Sequence, residues 1–187
     1  MLIYNVQSSG IGLENFVTEH GKYKVLFLCT HNSARSILAE AALNDLAGDR
    51  FVGYSAGSYP GTAPNPFALD LLRSQNISTD GLRSKSWDEF ADDGAPQIDF
   101  IFTVCDDAAG EVCPIWPGHP AVAHWGVADP SMVQGTDDEK RRAFLQAYVQ
   151  MRKRIELFTS LPLEKLDCLA VQHEMQKIGT SLREKGE

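Results

Sequence analysis

Val25-Leu26-Phe27-Leu28-Cys29-Thr30-His31-Asn32-Ser33-Ala34-Arg35-Ser36-Ile37-Leu38-Ala39-Glu40 sets three kinds of sequence end to end. The apolar run 25–28 reads as a short buried strand. Ser36 to Leu43 reads as a helix. The loop between them turns its backbone N–H groups inward, as loops at helix N-termini do, and so offers a cradle to a tetrahedral oxyanion. Thr30, His31, Asn32, Ser33, Ala34, Arg35 and Ser36 form that cradle. Cys29 lies at its base, and Arg35 can clamp two anion oxygens at once. A cysteine at a strand end is by default an inert apolar residue. Cys-x5-Arg-Ser between a strand and an alanine-rich helix is the context of a nucleophile instead. Such a thiol is expected to ionise below its usual pKa of about 8.5 and to be a thiolate at neutral pH.

Within the loop, Ser36 can donate its hydroxyl to the Cys29 thiolate, which favours the charged form. Asn32 is expected to hold the loop through side-chain-to-backbone hydrogen bonds. His31 points its ring to solvent and contributes its backbone N–H.

The whole chain fits this reading. Its 187 residues, 43% of them hydrophobic, suit one globular domain with a sizeable core. A formal charge of −8 argues against nucleic acid or an anionic membrane surface as a partner. No apolar run is long enough to span a bilayer. Residues 1–5 lack the basic start and apolar run of a signal peptide, so the chain is expected in the cytoplasm. There, four cysteines suggest redox or nucleophilic work rather than a disulfide framework. With no C-x2-C and no spaced histidines, a zinc site is not expected.

The pattern along the chain alternates strand and helix. Residues 1–21 read as an N-terminal extension. A strand at 22–28 and a helix to Ala47, stopped by Gly48, come first. Phe51–Ala56 is a second strand. Asn65-Pro66 caps and opens a helix to about Gln75. Ser86-x-x-Glu89 and Thr136-x-x-Glu139 are capping-box patterns. Ile98–Val104 and Ala121–Trp125 are the third and fourth strands. Phe144, Tyr148, Met151, Ile155 and Phe158 share one face of a long helix. Pro162 opens a last helix over 163–177, with Cys168 as a core residue. The expected division is an extension over 1–21, a catalytic domain over 22–160, and a C-terminal helix and tail over 161–187. Such alternation implies an α/β domain with a four-stranded parallel sheet flanked by helices. Ligands bind such sheets at the carboxyl ends of the strands. Cys29 and Cys105 both stand there.

Cys105 opens a small acidic loop that ends at Cys113-Pro114. A flexible loop can carry a thiol, and a disulfide would need Cα atoms within about 7 Å. Asp129, held extended by Pro130, can give a proton to a leaving oxygen.

Cys29-x5-Arg35-Ser36 after the first strand, with Asp129-Pro130 late in the chain, resembles the low-molecular-weight tyrosine phosphatase fold, a three-layer α/β/α domain. Thr103-Val104-Cys105-Asp106, Cys113-Pro114 and His124-Trp125-Gly126 resemble its arsenate reductase branch. Tyr54-Ser55-Ala56-Gly57 fits both branches. The likeness covers about residues 22–160. It implies a thiol relay. Arg35 binds arsenate, Cys29 attacks arsenic, Asp129 protonates the departing hydroxyl, and Cys105 displaces arsenite to form a Cys29–Cys105 disulfide. A reducing thiol is then a co-substrate, and Cys113 approximates the third cysteine of thioredoxin-coupled members. Position 34 is Ala where many relatives carry Cys. The Cys105–Cys113 interval is one residue longer than in that branch, which leaves thioredoxin and glutathione with glutaredoxin both open as donors. No tightly bound cofactor is implied. Some relatives bind potassium beside the loop, and Asn32, Glu40, Ser55 and Asp88 occupy positions resembling that site. The alternative function is phosphate monoester hydrolysis through a Cys29 phosphocysteine. Against it, Ser131-Met132 follow Asp129-Pro130 where phosphatases usually carry aromatic residues.

Overall fold

The computed structural model describes residues 21–92, 94–105 and 120–181. Strands β1 (Tyr23–Cys29), β2 (Phe51–Gly57), β3 (Phe100–Thr103) and β4 (Ala121–His124) form one sheet in the order β2-β1-β3-β4. Every neighbouring pair is parallel, with Leu28 facing Ala56 on one side and Thr103 on the other. The expected four-stranded parallel sheet is present, with strand limits within two residues of those read from the sequence.

β1 is central and buried on both faces. This explains why its sequence is a continuous apolar run rather than an alternation. Val25, Phe27 and Cys29 face the main core, with the buried sides of helices α1 (Arg35–Ala47), α2 (Pro66–Ser74), α3 (Asp137–Thr159) and α4 (Cys168–Ser181). Leu26 and Leu28 face a second cluster. Among the described residues Phe90, Ile98 and Trp87 cover it, partly from a 3-10 turn over Trp87–Phe90. Phe27, Phe102 and Trp125 stack in sequence across the main core, the last two with ring centroids 3.7 Å apart. Phe158 meets Phe102 edge-on at 5.0 Å.

Local signals set most helix limits. Asn65 accepts from Phe67 N–H ahead of Pro66, and Thr136 and Glu139 complete a capping box at α3. The five spaced apolar residues of α3 are all buried. Ser86 behaves differently. Its hydroxyl accepts from Asp88 N–H, while Glu89 turns to Arg83. One turn of 3-10 helix forms there without a capping box.

The last helix is shifted. Pro162 leads only into a 3-10 turn over Leu163–Lys165. Asp167 then caps a new start, accepting from Ala170 N–H at 2.8 Å, and α4 runs to Ser181. Cys168 is therefore the first residue of α4 and is exposed, not in the core. The buried face is Val171, Met175 and Ile178. That face lies on β4, where Trp125 Nε1 donates to Met175 O at 2.9 Å. No helix among the described residues is long and apolar enough to cross a membrane.

Candidate active site

The cradle begins where β1 ends. Its carbonyls point outward and are all taken. Thr30 O, His31 O and Ser33 O accept from the amides of Tyr59, Gly61 and Asn65, and Asn32 O accepts from the Ser84 hydroxyl. Carbonyls fixed outward leave the loop's N–H groups to the inside, which is what an oxyanion requires. Gly57, at the end of β2, passes directly beneath. A Cβ there would lie 2.4 Å from Thr30 O and 3.0 Å from Asn32 N. His31 is exposed, as expected.

Asn32 is the loop's keystone, wholly buried and in the left-handed region at φ 46°. Asn tolerates that conformation better than most residues. Its side chain bonds more widely than the expected local pattern. Oδ1 accepts from Lys85 N–H at 2.8 Å, which fixes the amide's orientation. Nδ2 then donates to Ser36 Oγ at 2.9 Å and to Ser55 Oγ at 2.8 Å. Both amide hydrogens are thereby used. Ser55 donates onward to Glu40, and the Ser36 hydroxyl proton is left free to face Cys29 Sγ, 2.8 Å away.

Cys29 is buried and accepts from Asn32 N–H at 3.2 Å. The expected lowering of its pKa is opposed here. Burial pushes the thiol up, and the Ser36 hydroxyl and the Ser36 and Asn32 amides pull it back only in part. The guanidinium that would favour a thiolate is directed elsewhere. Arg35 donates to Val127 O at 3.0 Å and to Asp129 Oδ2 at 2.7 Å. The other oxygen of Asp129 accepts from the amide and hydroxyl of Ser131 at 2.9 and 2.6 Å. Arg35 and Asp129 are thus neighbours, as the mechanism needs, but bound to each other.

Cys105 follows β3 and is buried, as is Cys29. Val104 N–H bonds Leu28 O at 2.8 Å, which brings Cys105 alongside the start of the loop. Its sulfur lies 3.6 Å from Thr30 Oγ1. Cys113 lies outside the described residues.

The four residues resembling a potassium site are not gathered together. Asn32, Ser55 and Glu40 are linked as above, but Asp88 is exposed and its carboxylate meets the Ser86 hydroxyl. Glu40 instead meets a residue that the sequence reading missed, Lys85, with Nζ 3.4 Å from its carboxylate. Burial pushes the Glu40 carboxyl up, and the Lys85 ammonium and Ser55 hydroxyl draw it back down. No cluster of three or more His, Cys, Asp or Glu suited to a metal occurs among the described residues. Arg154 was also missed. It is 1% exposed on α3 and donates to Trp125 O and Gly126 O at 2.9 and 3.2 Å, holding the segment that leads to Val127 and Asp129.

Residues 24–167 match the family described as low molecular weight phosphotyrosine protein phosphatase. The chain belongs to that family. Within it, an arsenate reductase of Oceanobacillus iheyensis is 35% identical over 72% of this chain and 93% of its own. An arsenate reductase structure from Archaeoglobus fulgidus is 26% identical, with a TM-score of 0.54 over 71% of this chain and 98% of that one. A thioredoxin-dependent arsenate reductase of Corynebacterium glutamicum is alike in fold, at 24% identity and a TM-score of 0.53 over 75% of this chain and 65% of that one. Cys29, Arg35 and Asp129 thus sit in a low molecular weight phosphatase domain whose relatives include reductases. Cys105 is the residue of the site that hydrolysis does not require.

Proposed function

We propose that this protein is an arsenate reductase that uses Cys29 and Cys105 in turn. The observation that carries the reading is the pair of buried cysteines beyond the ends of adjacent parallel strands, with Thr30, next in sequence to Cys29, holding its hydroxyl against the Cys105 sulfur. Arsenate enters the cradle and Arg35 takes its oxygens. Cys29 sulfur attacks arsenic, and the displaced hydroxyl leaves as water with a proton from Asp129, giving a sulfur–arsenic(V) bond. Cys105 thiolate then attacks Cys29 sulfur. The sulfur–sulfur bond forms as the sulfur–arsenic bond breaks. The electron pair stays on arsenic, which departs as arsenite, while the two thiols become a disulfide. A second dithiol or glutathione reopens it by exchange. Curated relatives at about one-third identity that bear the name arsenate reductase support this reading.

The reducing partner is thioredoxin or glutathione with glutaredoxin, and a supply of reduced thiols suits the cytoplasm. Hydrolysis of phosphate monoesters is the second reading. It is favoured by the set Cys29, Arg35 and Asp129, which suffices for it.

One pair of assays separates the two. Wild type and Cys105→Ser are compared in arsenate-dependent thiol consumption and in aryl-phosphate hydrolysis. Reduction is expected to vanish in the variant while hydrolysis persists at a low level. Wild-type reduction by Cys105→Ser would overturn the relay. Repeating the reduction assay with each donor identifies the partner.

A further inference from the structure

The buried chain from Asn32 through Ser55 to Glu40 ends on an ammonium group. Asn32, Ser55, Glu40 and Lys85 are all at least nine-tenths buried. Glu40 brings one negative charge and Lys85 one positive, at 3.4 Å. Three of the oxygens that an alkali cation would need are already engaged. Asn32 Oδ1 is held by Lys85 N–H, Ser55 Oγ lies between Asn32 and Glu40, and Glu40 Oε2 faces Lys85 Nζ. Asp88 turns away to Ser86. A potassium ion added here would put two positive charges against one carboxylate in a dry setting, where unpaired charge is costly. The residues do not fit potassium.

We infer that Lys85 supplies from within the chain the positive charge that a bound cation would otherwise bring, and that the Cys29 loop of this protein is independent of alkali cations. Lys85 acts from both ends. Its backbone N–H fixes the Asn32 amide, and its ammonium neutralises Glu40, which orients Ser55. With the Asn32 hydrogens so committed, the Ser36 hydroxyl proton faces Cys29. Lys85 is therefore a positioning residue for the nucleophile, three hydrogen bonds away from it through the backbone N–H and five through the ammonium. The inference rests on Cys29 being the nucleophile and not on which oxyanion it attacks.

The test reads Cys29 directly and needs no arsenate. The pH dependence of Cys29 alkylation by iodoacetamide is followed by mass spectrometry, together with the thermal unfolding midpoint. Both are measured at equal ionic strength in potassium chloride and in tetramethylammonium chloride, whose cation is too large for the site. Wild type is expected to give the same alkylation profile and the same midpoint in both salts. Lys85→Met is expected to alkylate about tenfold more slowly at neutral pH, one unit of thiol pKa. It is also expected to unfold at a lower temperature, with both effects partly reversed by potassium chloride alone. Lys85→Arg is expected to restore the wild-type profile. Glu40→Gln combined with Lys85→Met removes both charges and is expected to fold and to ignore potassium, which keeps the test open should the single variant not fold. A potassium-dependent wild type, an unchanged Cys29 profile in folded Lys85→Met, or a potassium response in the double variant would each overturn the inference. Loss of arsenate reduction with these results intact would count against the proposed function alone.

Discussion

Arg35 Nη2 lies 2.7 Å from Asp129 Oδ2, so the residue proposed to bind the oxyanion and the residue proposed to protonate its leaving group neutralise each other in this structure. The pair is largely shielded, with side chains 12% and 24% exposed. An incoming oxyanion competes with Asp129 for the same guanidinium fork. Its arrival frees the carboxylate, which can take a proton from the hydrogen-bearing oxyanion or from water and pass it to the oxygen that must leave. Asp129→Asn removes the competitor and the acid together. Phosphate, measured by calorimetry, is expected to bind that variant at least as tightly as wild type. Arsenate turnover is expected to fall by about 10²–10⁴-fold, the usual worth of general acid catalysis. Weakened phosphate binding in Asp129→Asn would mean that the carboxylate supports the cradle rather than competing for it.

Replacing the fork itself gives the converse. Arg35→Lys keeps the charge but loses two-point recognition of oxygens. Its phosphate affinity is expected to fall by about tenfold or more, near 1.4 kcal/mol. Turnover at saturating arsenate should fall as well, because the transition state uses the same oxygens. An unchanged dissociation constant would count against Arg35 as the anion clamp.

The thiol of Cys29 is pushed up by burial and held down chiefly by Ser36. Ser36→Ala takes away a donor that favours the thiolate, so the pKa moves further up. Below that pKa the reactive fraction shrinks, and it recovers as pH rises. The limb of the pH–rate profile that reports Cys29 ionisation is therefore expected to move to higher pH. The rate lost near neutrality should be regained in alkali. A uniform loss at every pH would mean that Ser36 shapes the loop without tuning the thiol.

Thr30 touches the second sulfur as Ser36 touches the first. Its hydroxyl, 3.6 Å from Cys105, can orient that thiol for attack on Cys29. Thr30→Val keeps the shape and deletes the oxygen. Formation of the Cys29–Cys105 disulfide after one turnover, followed by mass spectrometry, is expected to slow by about tenfold, near the worth of one hydrogen bond. Aryl-phosphate hydrolysis should change little, since Cys105 has no part in it. Equal losses in both reactions would place Thr30 in the cradle alone.

Legibility in the sequence follows the range of the forces at work. The loop, Cys29, Arg35, the Asn65 cap and the α3 face are set by neighbours a few residues apart, and their patterns could be read directly. Cys105 could be read because parallel strands deliver their carboxyl ends to one edge, and Asp129 because Pro130 follows it. Lys85 could not, because its role depends on Glu40, 45 positions away in sequence. On its own it resembles any surface lysine between serines. Asp88 differs, because its carboxylate is held by the Ser86 hydroxyl only two positions away. Cys168 was misplaced because apolar neighbours suggested burial, whereas Asp167 starts the helix there and turns Val171 inward instead.

Gly57 tests whether the cradle is held from below. The added Cβ of Gly57→Ala would meet Thr30 O at 2.4 Å and Cys29 O at 3.0 Å. Both are backbone atoms, and Thr30 O is fixed by Tyr59 N–H. They cannot swing aside as a side chain would, so the loop itself must move. Such overpacking costs about 1–3 kcal/mol, or about 2–4 °C of Tm per kcal/mol for a chain of this length. Phosphate affinity is expected to fall further than stability does, because a shift of the loop misaims several amides together. Gly61 provides the control. Its N–H also bonds the loop, at His31 O, yet a Cβ there would come no nearer than 3.7 Å to any atom. Gly61→Ala keeps that hydrogen bond and is expected to retain both Tm and phosphate affinity. Equal behaviour of the two variants, in calorimetry and in phosphate titration, would show that the close approach at Gly57 does not shape the cradle.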